Sequence, residues 1–218
     1  MSDQLITLTF DDGPNGLATR QIVDILVAKK VPATFFQVGR SVAADPATAK
    51  YVVDHGFAIG HHSWTHSYWL PFKRPMSLAK EFTMTTQAIQ AASGADLQYF
   101  RPPHGWCSPG LLWTMARFNL QVMGWSIDPR DYFTGDAQKI IHRTLHQAAD
   151  GGIVLLHDGL QDGPMKHRLA GRQGTIKALP TIIDGLRQKG FTLVSLEELL
   201  AKRPQSRAWR GHLFPLRG

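Results

Sequence analysis

Cysteine is almost missing from this chain: among 218 residues only Cys107 carries a thiol. No intrachain disulfide can form and a cysteine-rich zinc cage is excluded, so the fold must rest on its own core. A lone cysteine of this kind reads as a small packed hydrophobe rather than a nucleophile. Long apolar runs are missing too. No stretch approaches the roughly 20 consecutive apolar residues that span a bilayer, and Met1 leads into a strand-like run with no secretory signal before it. This pattern fits a cytoplasmic protein, or an extracytoplasmic one whose leader lies outside this sequence. Repeats and low-complexity stretches are also absent.

An excess of one charge sign is confined to the carboxyl end. The net charge is +7, but Lys202, Arg203, Arg207, Arg210 and Arg217 lie in a segment without Asp or Glu, leaving 19 basic against 17 acidic residues elsewhere. The body is therefore nearly neutral, and the tail reads as a solvated end. Nothing in it resembles an RNA- or DNA-reading module, so no nucleic-acid partner is expected. A hydrophobic content of 43% suffices for one substantial core but not for two large domains. The expected organisation is one folded body over residues 1–201 and a basic tail over 202–218.

Short runs rich in Val, Ile and Phe alternate with longer segments of helical period, which predicts parallel strands joined by covering helices. The strands are expected at 5–10, 33–38, 57–60, 98–101, 120–127, 153–157 and 191–195. The helices are expected at 17–30, 46–55, 78–92, 109–118, 137–149 and 176–189. Asp45 before Pro46 and Ser108 before Pro109 form cap-then-proline starts, while Gly94 and Gly190 mark stops. About seven strands in this order predict an α/β fold, a barrel related to the eight-stranded one or an open sheet. The polar residues favour the barrel, because they collect just after strands: Asp11 and Asp12, His62 and His66, Arg101, Asp128 and Asp131, and His157.

Each cluster has an ordinary reading beside a chemical one. Asp11-Asp12-Gly13-Pro14 is common turn chemistry, yet two adjacent carboxylates point different ways and can hold different roles. His62 and His66 can reach one cation if the segment between them makes a helical turn. Ser63 stands where a zinc protease would carry glutamate, which argues against a peptidase of that type. Arg101, ending a buried strand, could serve only to pair a carboxylate. His157 could be a satisfied core residue, but its place at a strand end facing the other clusters favours proton transfer. His55, His61, His142, His146 and His167 read as non-catalytic.

Taken in order, Thr9 to Pro14, His61 to His66, Arg101 to Gly105, Trp125 to Tyr132 and Gly152 to Gly159 resemble the motifs of the NodB-type polysaccharide deacetylases, carbohydrate esterase family four. The resemblance runs from about Leu5 to Leu200. It implies a distorted (β/α) barrel of about seven parallel strands with one divalent metal ion at its rim, held by Asp12, His62 and His66. Such a donor set suits zinc, with cobalt as an alternative. The resemblance further implies that Asp11 is the general base, oriented by Arg101, and that His157 is the general acid, kept cationic by Asp131. Leu155 would line the acetyl pocket and the backbone N–H of His104 would receive the oxyanion.

Two residues depart from the family pattern: His104 stands where tyrosine is usual, and Tyr132 where tryptophan is usual. Both alter the wall of the sugar site, and neither removes a ligand or a proton-transfer group. The implied reaction is N-deacetylation of glycans containing N-acetylglucosamine, such as chitin oligosaccharides or peptidoglycan. An O-acetyl esterase acting on xylan, a small-amide hydrolase, and an inactive glycan-binding module are the competing readings. Oligomeric state is left open.

Overall fold

A computed structural model of the chain describes residues 4–159, 172–204 and 212–213. Seven strands form one parallel sheet: β1 (Gln4–Asp11), β2 (Ala33–Gln37), β3 (Ala58–His61), β4 (Tyr99–Phe100), β6 (Gln121–Val122), β7 (Gly152–His157) and β8 (Phe191–Leu193). Their order is β6-β4-β3-β2-β1-β7, with β8 pairing β1 along Gln4–Ile6, below the Leu8–Asp11 stretch that pairs β2. The helices are α1 (Gly16–Lys29), α2 (Gly39–Ala44), α3 (Pro46–Asp54), α4 (Pro75–Ser93), α5 (Pro109–Ala116), α6 (Ala137–Gln147), α7 (Gln173–Gln188) and α8 (Leu196–Lys202). A second, two-stranded sheet pairs β5 (Trp106–Cys107) with β9 (His212–Leu213). None of the described helices is long and apolar enough to cross a membrane.

The expected distorted barrel is what forms. Its closure explains why the predicted strand over 120–127 is not continuous. Gln121 and Val122 pair β4, whereas Ile127 bridges Val154 on β7, so this segment changes partner half-way. Between the two, the Gly124 carbonyl accepts from the Arg101 guanidinium at 2.9 Å, a side chain standing in for a neighbouring strand.

Strand alternation sorts the side chains into two layers. On β1, Ile6, Leu8 and Phe10 face outward onto α1, α3, α6 and α7, joined by Phe35, Ile59, Val154 and Leu156 from neighbouring strands. The alternate residues Leu5, Thr7, Thr9 and Asp11 face the barrel interior. In that interior, Leu5, Phe36, Tyr99 and Ile153 form one buried cluster with Leu196, Leu199 and Leu200 of α8, which stoppers the end opposite the carboxyl rim. Burying each such side chain stabilises the fold by about 1.5–3 kcal/mol before chain entropy is counted. Close approach is needed at Gly60, where a Cβ would lie 2.4 Å from the Phe36 ring.

Local chemistry accounts for the helix ends. Asp45 and Ser108 accept from Thr48 N–H and Leu111 N–H as their positions predict, and Gly94 ends α4 in the left-handed region at φ 69°. Two helices were not anticipated. The short α2 follows β2 directly, and α8 follows what read as the end of a strand, because Ser195 caps it by accepting from Glu198 N–H. Lys202 ends α8 paired with Glu198, and Arg203 reaches Asp150 at 2.7 Å, so both cations counted with the tail are tied to the body. His167 lies outside the described residues.

Candidate active site

Parallel register brings the polar residues to one rim. Asp11 is level with Phe36 on β2 and His157 on β7, while His61 is level with Gln37 and Phe100. Of the adjacent histidines, alternation turns His61 outward, where it stacks on Phe82 at 4.6 Å and takes the Ser63 N–H on Nδ1. Burial drives the His61 pKa down to about 3, so it is a neutral core residue. His62 falls on the inner face with Asp11 and Arg101.

No helical turn joins His62 to His66, contrary to the geometry their spacing suggests. The loop instead passes through the left-handed region at Ser63 (φ 62°) and His66 (φ 55°), and the Ser63 hydroxyl accepts from His66 N–H at 3.1 Å. This fold-back places His66 Nε2 3.0 Å and His62 Nε2 3.5 Å from Asp12 Oδ1. All three residues are buried, with one ligand atom of each within 4.8 Å of the others. His62 Nδ1 lies 2.7 Å from the Arg101 carbonyl, so it carries the proton and leaves a lone pair on Nε2. That lone pair faces a carboxylate oxygen, and two acceptors in a dry site call for a cation between them. Burial opposes ionisation of Asp12, but His66, with help from His157, holds its carboxyl well below the usual range. The residues fit a divalent ion.

On either side of this cluster lies a charged pair. Arg101, wholly buried, donates to Asp11 Oδ1 at 2.7 Å and to the Thr9 hydroxyl at 2.8 Å, with its guanidinium carbon 4.1 Å above the Phe36 ring. In the second pair, His157 Nδ1 donates to Asp131 Oδ1 at 2.7 Å. The other carboxylate oxygen of Asp131 accepts from His157 N–H at 2.9 Å and from the Thr175 hydroxyl at 2.8 Å. Burial opposes the charge of both partners, but each favours the other's ionised form, so the His157 pKa is raised and that of Asp131 lowered.

The remaining expected residues line the same rim. Leu155 is buried two residues before His157 and so shares its inward face. Tyr132 is partly exposed, its ring 5.3 Å edge-on to His157 and its hydroxyl donating to Asp128. His104 occupies a left-handed position (φ 57°) in a short turn. Its ring stacks on Tyr68 at 3.6 Å and meets the His66 ring at 4.5 Å. Burial, reinforced by His66 and His62, pushes the His104 pKa down to about 3.

Sequence reasoning missed three residues. Arg172 is buried beside the site, donating to the Gly159 carbonyl at 2.6 Å with Nη2 3.9 Å from Asp12 Oδ2. No local pattern marks it. Asp158, directly after His157, accepts from the Thr19 hydroxyl at 2.6 Å, and burial pushes its pKa up to about 7. Glu81 interrupts the buried stripe Leu78, Phe82, Thr85 and Ile89 of α4, a signal available in the sequence.

A family model described as polysaccharide deacetylase matches residues 1–123, more than half of the chain. The chain belongs to the polysaccharide deacetylase family. Among polysaccharide deacetylases, a chitooligosaccharide deacetylase of Bradyrhizobium sp. (strain ANU 289) is 34% identical over 197 residues, covering 89% of this chain and 90% of the relative. A peptidoglycan-N-acetylglucosamine deacetylase of Bacillus cereus is 32% identical over 201 residues, covering 91% and 89%. The solved structure of peptidoglycan deacetylase PdaC from Bacillus subtilis superposes with a TM-score of 0.80 at 31% identity, covering 94% of this chain and 93% of that one. The family is metal-dependent, in agreement with the Asp12, His62 and His66 cluster.

Proposed function

We propose that this deacetylase removes N-acetyl groups from glycans containing N-acetylglucosamine, with chitin oligosaccharides and peptidoglycan as the substrate class. The observation that carries the reading is the presence of two separate proton-transfer pairs, Asp11 with Arg101 and His157 with Asp131, beside one buried Asp-His-His set.

Asp12, His62 and His66 would hold the divalent ion, with zinc the best match to two imidazoles and one carboxylate and cobalt a workable substitute. Such an ion supplies Lewis-acid polarisation of the amide carbonyl and lowers the pKa of water. Asp11, fixed by Arg101, takes the proton from the attacking water. His157, held cationic by Asp131, gives a proton to the departing amine. The His104 backbone N–H would donate to the oxyanion, and Leu155 would receive the acetyl methyl. The exposed rings of Tyr68, Trp69 and Tyr132 support a sugar rather than a small amide as the body of the substrate.

The test is acetate release from N-acetylglucosamine oligomers, peptidoglycan, acetylxylan and small amides, before and after chelation and after return of zinc or cobalt. Release from the N-acetylated glycans, lost on chelation and restored by metal, is expected. Release from acetylxylan alone would overturn the substrate class, and full activity after verified metal removal would overturn the metal role.

A further inference from the structure

The loop bearing His62 and His66 holds two left-handed residues, and the hydrogen bonds that fix its middle come from elsewhere. Glu81 on α4, 5% exposed, accepts from Trp64 N–H and Thr65 N–H on Oε2, both at 2.9 Å. Its Oε1 accepts from the Thr65 hydroxyl at 2.7 Å and from the Lys73 ammonium. Trp64 and Thr65 are the two residues between the turn at Ser63 and the ligand at His66, so one carboxylate gathers three donors from the middle of the loop. We propose that Glu81 is a positioning residue for the metal site, clamping the His62 to His66 loop so that both Nε2 atoms face Asp12 before an ion arrives, a role that rests on the metal reading given above.

The geometry separates positioning from bulk packing. Glu81 bonds to the loop backbone, Thr65 and Lys73 rather than to either ligand imidazole, and it lines a cleft of about 300 Å³ shared with Trp64, Thr65, Lys73 and Lys80. Water can enter that cleft and hydrate the freed N–H groups when the carboxylate is removed, so the fold is expected to survive. Water does not hold the loop in one conformation. Although burial disfavours its charge, the bonds from Lys73 and Thr65 keep the Glu81 carboxyl below the usual range, so the clamp is ionised at neutral pH.

The experiment is a cobalt titration of the full chain followed by visible absorption, with Glu81→Ala, Glu81→Gln and Asp12→Asn beside the parent. Removing groups that orient metal ligands typically weakens affinity by about 10- to 100-fold, and that range is expected for Glu81→Ala, with an altered spectrum at saturating cobalt. Glu81→Gln keeps an oxygen for the two N–H groups but sets an amide nitrogen against Lys73, so an intermediate loss of at least about three-fold is expected. A role confined to fold stability would lower the melting temperature and leave affinity and spectrum unchanged, which overturns the proposal. If Glu81→Ala does not fold, Glu81→Gln decides alone, and parental affinity there overturns it. If Asp12→Asn also binds cobalt like the parent, the metal reading has failed.

Discussion

Replacing Asp131 by Asn tests the acid side of the site with almost no change in shape. In the parent, Oδ1 accepts from His157 Nδ1, and Oδ2 accepts from His157 N–H and the Thr175 hydroxyl. An asparagine has one oxygen for these donors. Turned toward the backbone N–H, it keeps the bonds to His157 N–H and Thr175 and offers an amide N–H to the imidazole Nδ1. The ring must then accept there, leaving the neutral form with its proton on Nε2, which is a very weak acid. The opposite orientation sets two N–H groups against each other in a buried position at a cost of about 1–3 kcal/mol. In Ser-His-Asp enzymes the same change lowers kcat on the order of 10⁴-fold through the wrong tautomer. A fall in kcat/KM of about 10³- to 10⁴-fold is expected, or about 4–5.5 kcal/mol of barrier.

The pH dependence has a definite sign. The raised His157 pKa stabilises the fold fully below about 6.5, its unfolded value, and that contribution fades as pH rises through the folded pKa. The lowered Asp131 pKa stabilises above about 3.9 and fades as pH falls through its folded value. The pair therefore contributes most between about pH 4 and 6.5, where Asp131→Asn should cost more stability than at pH 9. In acetate-release assays the alkaline limb should move to lower pH, with metal content unchanged. A variant within about ten-fold of the parent, with that limb unmoved, would refute the assignment.

Asp11→Asn should lower turnover at least about 10²-fold while metal is retained, whereas Asp12→Asn and His66→Ala should lose metal; equal metal loss in all three, read by elemental analysis, contradicts the division of roles. Gly60→Ala drives a methyl into the Phe36 ring beneath Arg101 and should cost about 1–3 kcal/mol in urea unfolding, so parental stability would show that the contact can relax. Cys107 is buried, which pushes its pKa up to about 11, so a thiol reagent under mildly alkaline conditions should label it only at the rate of unfolding. Fast stoichiometric labelling of native protein would contradict this.

Much of the site was legible because chemistry and periodicity coincide in it. Asp11, His62, Arg101 and His157 each end or follow an apolar run, and strand alternation puts them on one face. The unread parts depend on partners distant in the chain. The change of partner within 121–127 follows from barrel closure, and the loop after His62 is held by Glu81 and by the Gly39 and Arg40 N–H groups, all distant in the chain. Arg172 reaches Gly159 and Asp12 from a segment with no pattern of its own. The Ser195 cap with Glu198 three residues on was readable, but the strand ahead of it masked the helix that follows.

The division between His61 and His62 has a consequence for how such a chain can vary. Because alternate residues face opposite layers, deleting one residue within β3 would exchange the two histidines, presenting to the cavity the one now stacked on Phe82 and sending the candidate ligand into the outer layer. Strand length thus acts like a reading frame: substitutions at outward positions change packing by degrees, whereas a single insertion or deletion scrambles the site outright. Length variation among functional descendants of this chain should therefore be confined to the connections between strands and helices.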